Sequence, residues 1–477
     1  MRINISTFCD NQLQRFPNKE ISSRLCSAFF LLAITLISSL LTGCTKRIWN
    51  KPITDKTTTS RYDFRNNLPK NSDDIFVVLA FSGGGTRAAA LSYGVLEKLR
   101  DTPVTINGVE RRLLDEVDVI SSVSGGSYTA AYYGLFGDDI FKQFAPDFLY
   151  EDWQSRLIKL AIRPQSLIAM SSSEYNRGDL VANNLNHSLF QQKTFADMGR
   201  GKLPYVILNA SDLNNSTTFS FTQQHFDFLC SDLSSYPVAN AVMASSSVPG
   251  IFAPIALRNF SDCPQRYQSW VEDALNQDSH LPRNYAVARA LKRYSYPDRM
   301  PVLRLVDGGV TDNLGVRGSM MSPVTQYGDV PNMAGAFSPE KFRQVKQVLV
   351  VVANAQTYSE HKWSLEGKDP GFFETVSASS EVALGILNNE TVSLAKKEFL
   401  QWGEHVNAQR SSDSPQVEVH FSILTFDQVE NKKERAKFDA MPTTFHLQPK
   451  QVDELRELGS SLLDQSEEFQ NFRKALQ

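Results

Sequence analysis

Between residues 75 and 353 the chain alternates short runs rich in apolar and β-branched residues with stretches of helical period. The runs fall at 75–81 (IFVVLAF), 117–123 (VDVISSV), 204–210 (PYVILNA), 216–222 (STTFSFT), 302–306 (VLRLV) and 347–353 (QVLVVVA). Runs without alternation predict strands buried on both faces, and the spacers have the length and period of helices. Helices are expected at 86–100, 127–136, 148–162, 176–188, 237–245, 284–294 and 374–401. A strand near 417–426 and a helix near 449–475 follow. The pattern predicts one α/β domain over 74–355, with a mostly parallel central sheet between helical layers. A polar insertion is expected at 261–301 and a packed C-terminal extension at 356–477. In 148–162, Leu149, Trp153, Leu157 and Leu160 share one helical face. That face reads as core, with an interfacial lid as the alternative.

The N-terminal 74 residues break this pattern. Residues 1–27 are polar, residues 28–41 are apolar and uncharged, and Leu41-Thr42-Gly43-Cys44 follows. The apolar run is short for a bilayer span and suits a signal-peptide core. The four-residue motif resembles the lipobox of bacterial lipoproteins. That resemblance implies cleavage after residue 43, acylation of Cys44, and an envelope location, with Thr45 favouring the outer membrane. The alternative is an uncleaved anchor. Residues 45–73, rich in Thr, Asn, Lys and Asp, are expected to be a tether. Cleavage would remove Cys9 and Cys26 and leave Cys230 and Cys263 in an oxidising compartment. They could form a disulfide or remain two free thiols.

Composition narrows the classes. Of 477 residues, 42% are hydrophobic and 21% charged, which excludes a disordered chain. Forty-nine basic residues face 52 acidic ones, for a net charge of −3, so no electrostatic footprint for nucleic acid exists. The sequence has no CxxC pair, HExxH or EF-hand spacing, and no metal or cofactor is expected. Oligomeric state is unconstrained.

Three strand ends carry candidate chemistry. After 75–81 comes Ser82-Gly83-Gly84-Gly85-Thr86-Arg87, a strand-to-helix turn whose N–H groups could receive a phosphate or an oxyanion. The nucleotide readings lack GK[ST] and GxGxxG, and tight helix–sheet packing is the bland alternative. After 117–123 comes Ser124-Gly125-Gly126, with Ser122 where the nucleophile-elbow pattern GxSxG has its first glycine. A serine that only caps the next helix is the alternative. After 302–306 comes Asp307-Gly308-Gly309, by itself a common turn. Asp312 and Asn313 lie where they could brace that loop.

Together the three turns, with Ala244-Ser245-Ser246-Ser247-Val248-Pro249-Gly250-Ile251-Phe252, resemble the patatin-like phospholipase family over roughly residues 75–320. The departure is Ser122. The resemblance implies a three-layer α/β/α fold with C-terminal helical additions. It also implies a Ser124–Asp307 dyad without histidine, hydrolysing membrane phospholipid or another acyl lipid. The oxyanion would be held around Gly83, Gly84, Gly85, Thr86 and Arg87, with Ser122, Gly125, Gly126, Gly308 and Gly309 supporting the turns. An α/β-hydrolase triad would need a later histidine, with His361, His405, His420 and His446 as candidates. A non-catalytic lipid-binding scaffold is the other alternative.

Overall fold

The computed structural model describes residues 50–54, 61–67, 69–170, 175–199, 202–261, 263–276, 282–318, 344–358 and 361–477. The signal-like segment and Cys44 lie outside them. Two compact units are formed: Met1–Arg47 with Ile158–Asn176, and Ile48–Leu157 with Arg177–Gln477. In the first, the described residues carry the end of helix Trp153–Ala161 and helix Pro164–Met170.

The centre of the second unit is a sheet of β1 (Ile75–Phe81), β2 (Val117–Val123), β3 (Tyr205–Asp212), β4 (Thr217–Ser220), β5 (Ile255–Arg258), β6 (Val302–Asp307), β7 (Gln347–Ala353) and β8 (Glu418–Leu424). The order is β8-β7-β1-β2-β3-β6-β5, with β4 paired to β3. β8, β7, β1, β2 and β3 run parallel, while β6 is antiparallel to both β3 and β5. Every residue of β1, β2 and β3 is buried, including the polar Asp118, Ser121, Ser122, Asn209, Ser211 and Asp212, as expected of strands covered on both faces. The mixed α/β class with a mostly parallel sheet flanked by helices is therefore the observed one.

The helices that position the site are α1 (Gly85–Arg100), α2 (Gly125–Phe136), α3 (Arg177–Ser188), α4 (Val238–Ser245), α5 (Gly309–Asp312), α6 (Phe372–Gln409), α7 (Pro449–Gln465) and α8 (Glu467–Ala475). α7 lies along α1 so closely that a Cβ on Gly94 would stand 2.0 Å from the Arg456 carbonyl oxygen. The Arg456 guanidinium pairs with Glu97 across the same contact. The insertion closes on itself, since Asn259 N–H donates to Pro301 O at its two ends.

Two expectations change. The tether is not free along its described length. Tyr62 is buried and stacks 4.6 Å from Tyr205, its hydroxyl bonded to the Val206 backbone, and the Asn50 amide binds Ser231 and Arg258. Isolated aromatic and amide anchors dock a segment whose bulk composition is polar. The 148–162 helix begins only at Trp153, after a π-helix over Ile140–Leu149 that contains Pro146. Leu149, Trp153 and Leu157 are buried, which is the core reading.

Candidate active site

The three predicted turns meet at the C-terminal edge of the parallel strands. β1 and β2 are neighbours, so the turns after them leave the sheet side by side and touch. A Cβ on Gly125 would sit 2.0 Å from Gly85 O, so no larger residue fits there, and Gly126 N–H donates to Ser82 O. Ser124 occupies the apex at φ 49°, ψ −119°. This positive-φ conformation is costly for a residue with a Cβ, and it turns the hydroxyl outward from a sharp strand-to-helix bend.

The Ser124 hydroxyl donates to Asp307 Oδ2 at 2.8 Å. The other carboxylate oxygen, Oδ1, accepts the Gly309 N–H at 2.8 Å. Both residues are buried. Burial raises the Asp307 pKa from 3.8 to about 6, opposed by the bonds from Gly309 and Ser124. The carboxyl is thus a stronger base than an exposed aspartate and still ionised at neutral pH.

The serine-rich block supports both members. Ser245 Oγ accepts the Ser124 N–H at 2.9 Å and donates to Asn209 O at 2.6 Å. The Ser247 carbonyl accepts the Asp307 N–H, and the Ser245 carbonyl accepts the Gly308 N–H. Ser122 joins the same network: its hydroxyl lies 3.2 Å from Ser127 Oγ, which lies 3.0 Å from Ser245 Oγ. The serine in the glycine position is therefore hydrogen-bonded inside the elbow. Asp312 accepts N–H groups from Leu314, Gly315, Arg317 and Gly318, and so fixes the loop as expected. Asn313 O in turn takes the Gly83 N–H at 2.9 Å.

The glycine turn corrects the expected oxyanion set. Gly83 N–H is committed to Asn313 O, and Thr86 N–H to Thr444 O at 2.9 Å. Among the described residues, no carbonyl takes the N–H of Gly84 or Gly85, at φ 139° and 60°. These two remain as donors at the N-terminus of α1. Arg87 is engaged with segments beyond the turn. Its buried guanidinium binds Ala355 O at 2.9 Å, Met441 O, and Thr443 Oγ1 at 3.1 Å. Burial lowers its pKa to about 10, with the Asp439 charge opposing. It clamps a strap, residues 441–446, across the back of the turn. Phe445 of that strap meets Tyr128 and Phe252 at 5.9 Å each.

No described histidine bonds Ser124 or Asp307, so the triad alternative lacks its third member. His420 binds Gln347 on the sheet, His405 binds Gln409, His361 lies near Glu381, and His446 near Asp152. Cys230 and Cys263 form a disulfide, Cα–Cα 5.7 Å. A cleft of about 960 Å³ lies at the opposite edge of the sheet, among Arg100, Arg111, Arg112, Asp115, Glu116 and Lys202. Its arginines are ion-paired to neighbouring carboxylates, and it holds none of the dyad.

Sequence reasoning named the three turns and the fourth block. It missed Asn209, Tyr128 and residues 441–446, none of which carries a local signal.

A family model described as patatin-like phospholipase matches residues 79–319, half of the chain. Among solved structures, human GIVD cytosolic phospholipase A2, in complex with methyl gamma-linolenyl fluorophosphonate and terbium chloride, is 18% identical. The match covers 85% of this chain and 60% of that one, with a TM-score of 0.36, so this chain spans less than two thirds of the human enzyme. VipD from Legionella pneumophila is 12% identical over 87% of this chain and 70% of that one, with a TM-score of 0.26. No curated protein matches.

Proposed function

We propose, on the premise that this chain belongs to the patatin-like phospholipase family, that it hydrolyses acyl esters of membrane lipids through a Ser124–Asp307 dyad and an acyl-enzyme. Membership supports lipid acyl hydrolysis as a class. The residue roles are our reading, and one observation carries them: the 2.8 Å bond from Ser124 Oγ to a buried carboxylate beside the N–H groups of Gly84 and Gly85.

In this reading Asp307 Oδ2 takes the hydroxyl proton as Ser124 Oγ attacks the ester carbonyl carbon. Negative charge develops on the carbonyl oxygen, and the N–H groups of Gly84 and Gly85 receive it. Such a donor is typically worth about 2.7–4 kcal/mol in the transition state. Collapse expels the alcohol, which takes the proton from Asp307. Water then adds to the acyl-enzyme, gives its proton to Asp307, and releases the fatty acid, and the proton returns to Ser124.

Acylation of Cys44 and an envelope location complete the proposal. The lipobox-like Leu41-Thr42-Gly43-Cys44 and the Cys230–Cys263 bond, suited to an oxidising compartment, support them. Metabolic labelling with an alkyne fatty acid, lost in Cys44→Ala, tests the anchor. Turnover of a nitrophenyl acyl ester and of phospholipid vesicles by Ser124→Ala tests the chemistry. Retained turnover in a folded variant refutes it.

A further inference from the structure

Two asparagines stand beside the dyad, and the fold uses the side chain of only one. The Asn209 amide is buried and bonded on both ends. Its nitrogen donates to Ser121 Oγ at 2.9 Å and Ser122 O at 3.1 Å, and its oxygen accepts Ser220 Oγ at 2.7 Å. Asn313 is half-buried, six residues past Asp307. Its main-chain carbonyl accepts the Gly83 N–H, but among the described residues its side-chain amide makes no hydrogen bond. An amide carries two donors and an acceptor oxygen, so this one is left free to meet something from outside the protein.

The amide oxygen lies where the glycine turn and the Asp307 turn come together. A Cβ on Gly83 would collide with Asn313 Oδ1 and stand 3.4 Å from the Ser124 Cβ. A Cβ on Gly309 would stand 3.0 Å from Asn313 Oδ1 and 3.0 Å from Asp307 Oδ1. Both turns thus lack a side chain at the place where the amide stands, between the nucleophile and the base. The group is also held from behind. Gly83 N–H binds its own carbonyl, and Asp312 takes the N–H groups of Leu314, Gly315, Arg317 and Gly318 just beyond it. Two acceptor oxygens, one of an amide and one of a carboxylate, therefore flank one point at equal distance. A water molecule is the reactant that can donate a hydrogen to each of two acceptors at once, through bonds of about 2.8 Å.

We infer that Asn313 Oδ1 holds the water that hydrolyses the acyl-enzyme. The inference rests on the Ser124–Asp307 reading above. One hydrogen of the water binds Asn313 Oδ1 and stays on the oxygen. The other passes to Asp307 Oδ2 as the water oxygen bonds to the acyl carbon and the carbonyl electrons move onto the carbonyl oxygen. Collapse breaks the bond from the acyl carbon to Ser124 Oγ, and the proton returns from Asp307 to that oxygen. The fatty acid leaves with the retained hydrogen. Attack of Ser124 on the ester needs no water, so Asn313 serves the second half-reaction and leaves the first alone.

The test is the burst kinetics of the full chain with a nitrophenyl acyl ester. In Asn313→Ala, nitrophenol should appear in a burst of one equivalent per chain, at a rate within about threefold of wild-type acylation. The steady rate that follows should lie about 30-fold or more below that of the wild type, as expected when a reactant loses its fixed position. Mass spectrometry should find the acyl group retained on Ser124. Labelling of Ser124 by a fluorophosphonate, which consumes no water, should stay within about threefold and shows that the site is folded. Asn313→Leu keeps the branched shape without the acceptor and should behave in the same way. Acylation and steady rates that fall together overturn the inference, since a brace or an oxyanion donor serves both half-reactions. A steady rate within about threefold of the wild type in either variant also overturns it. If the wild type neither turns over the ester nor labels at Ser124, the catalytic reading fails and takes this inference with it. Wild-type turnover with no acyl-enzyme retained in either variant defeats this inference alone.

Discussion

The two sides of the glycine turn are built from different parts of the chain. On the side facing Ser124, the hydrogen bonds that hold Ser124 and Asp307 come from residues 82–318: the elbow, the serine-rich block, and the loop fixed by Asp312. On the far side the supports are Ala355, Met441, Thr443 and Thr444, from beyond the span that the family model matches. In the proposed reaction the first side holds the reacting atoms, and the second backs the turn whose N–H groups receive the developing charge. The span that the family model matches is thus completed here by the chain's own C-terminal extension, which also adds β8 to the sheet and lays α7 on α1.

The largest effect that separates the sides is chemical. Asp307→Asn keeps the side-chain shape and removes the base, so kcat should fall by about 10²–10⁴-fold on soluble ester. For the wild type, kcat/KM should rise with pH through about 6 and then level off, because the raised pKa leaves Asp307 protonated below that value. Stability moves the opposite way. The folded state holds this proton more tightly than the unfolded chain, so ionisation withdraws stability as pH climbs from the ordinary carboxyl range through about 6. Thermal melts should therefore show Asp307→Asn more stable than wild type above pH 6, with the gap closing near pH 4.

A smaller effect probes the far side. Arg87→Met should cost both stability, by about 1–3 kcal/mol from carbonyls left unsatisfied in the interior, and up to about 100-fold in kcat as the turn loses its backing. Lower kcat with an unchanged Tm would instead place the guanidinium at the reacting oxygen, and the comparison would collapse.

The smallest catalytic effect belongs to the bridge between Cys230 and Cys263, which closes a 33-residue separation away from the dyad. Cys230→Ser/Cys263→Ser should lose about 3–4 kcal/mol of stability and leave kcat within twofold. Chemical denaturation and ester kinetics on the same preparation read both.

What was legible in the sequence follows the same divide. β1 and β7 carry their burial in almost wholly apolar runs, and the three strand-end turns announce themselves with glycines that close approach demands, such as Gly125 against Gly85. Ser245 lay inside a recognised block, although its hydroxyl's partners, Ser124 N–H and Asn209 O, come from two other strand ends. The strap was invisible: Met441-Pro442-Thr443-Thr444 has no periodicity, and its meaning arises only when folding brings it to Arg87, over 350 positions earlier. The partners of Arg87 were invisible for the same reason, since two of them are carbonyls, which every residue has. Tyr62 and Asn50 were lost in a polar average because a few anchors suffice to dock a segment.

The central claim is that Ser124 is a nucleophile made reactive by the carboxylate of Asp307. A fluorophosphonate probe at pH 7.5, followed by peptide mapping and repeated on Asp307→Asn, tests it most directly. The account predicts one adduct, on Ser124, forming at least 100-fold more slowly in the variant. Labelling at another residue, or at an undiminished rate without the carboxylate, would contradict it.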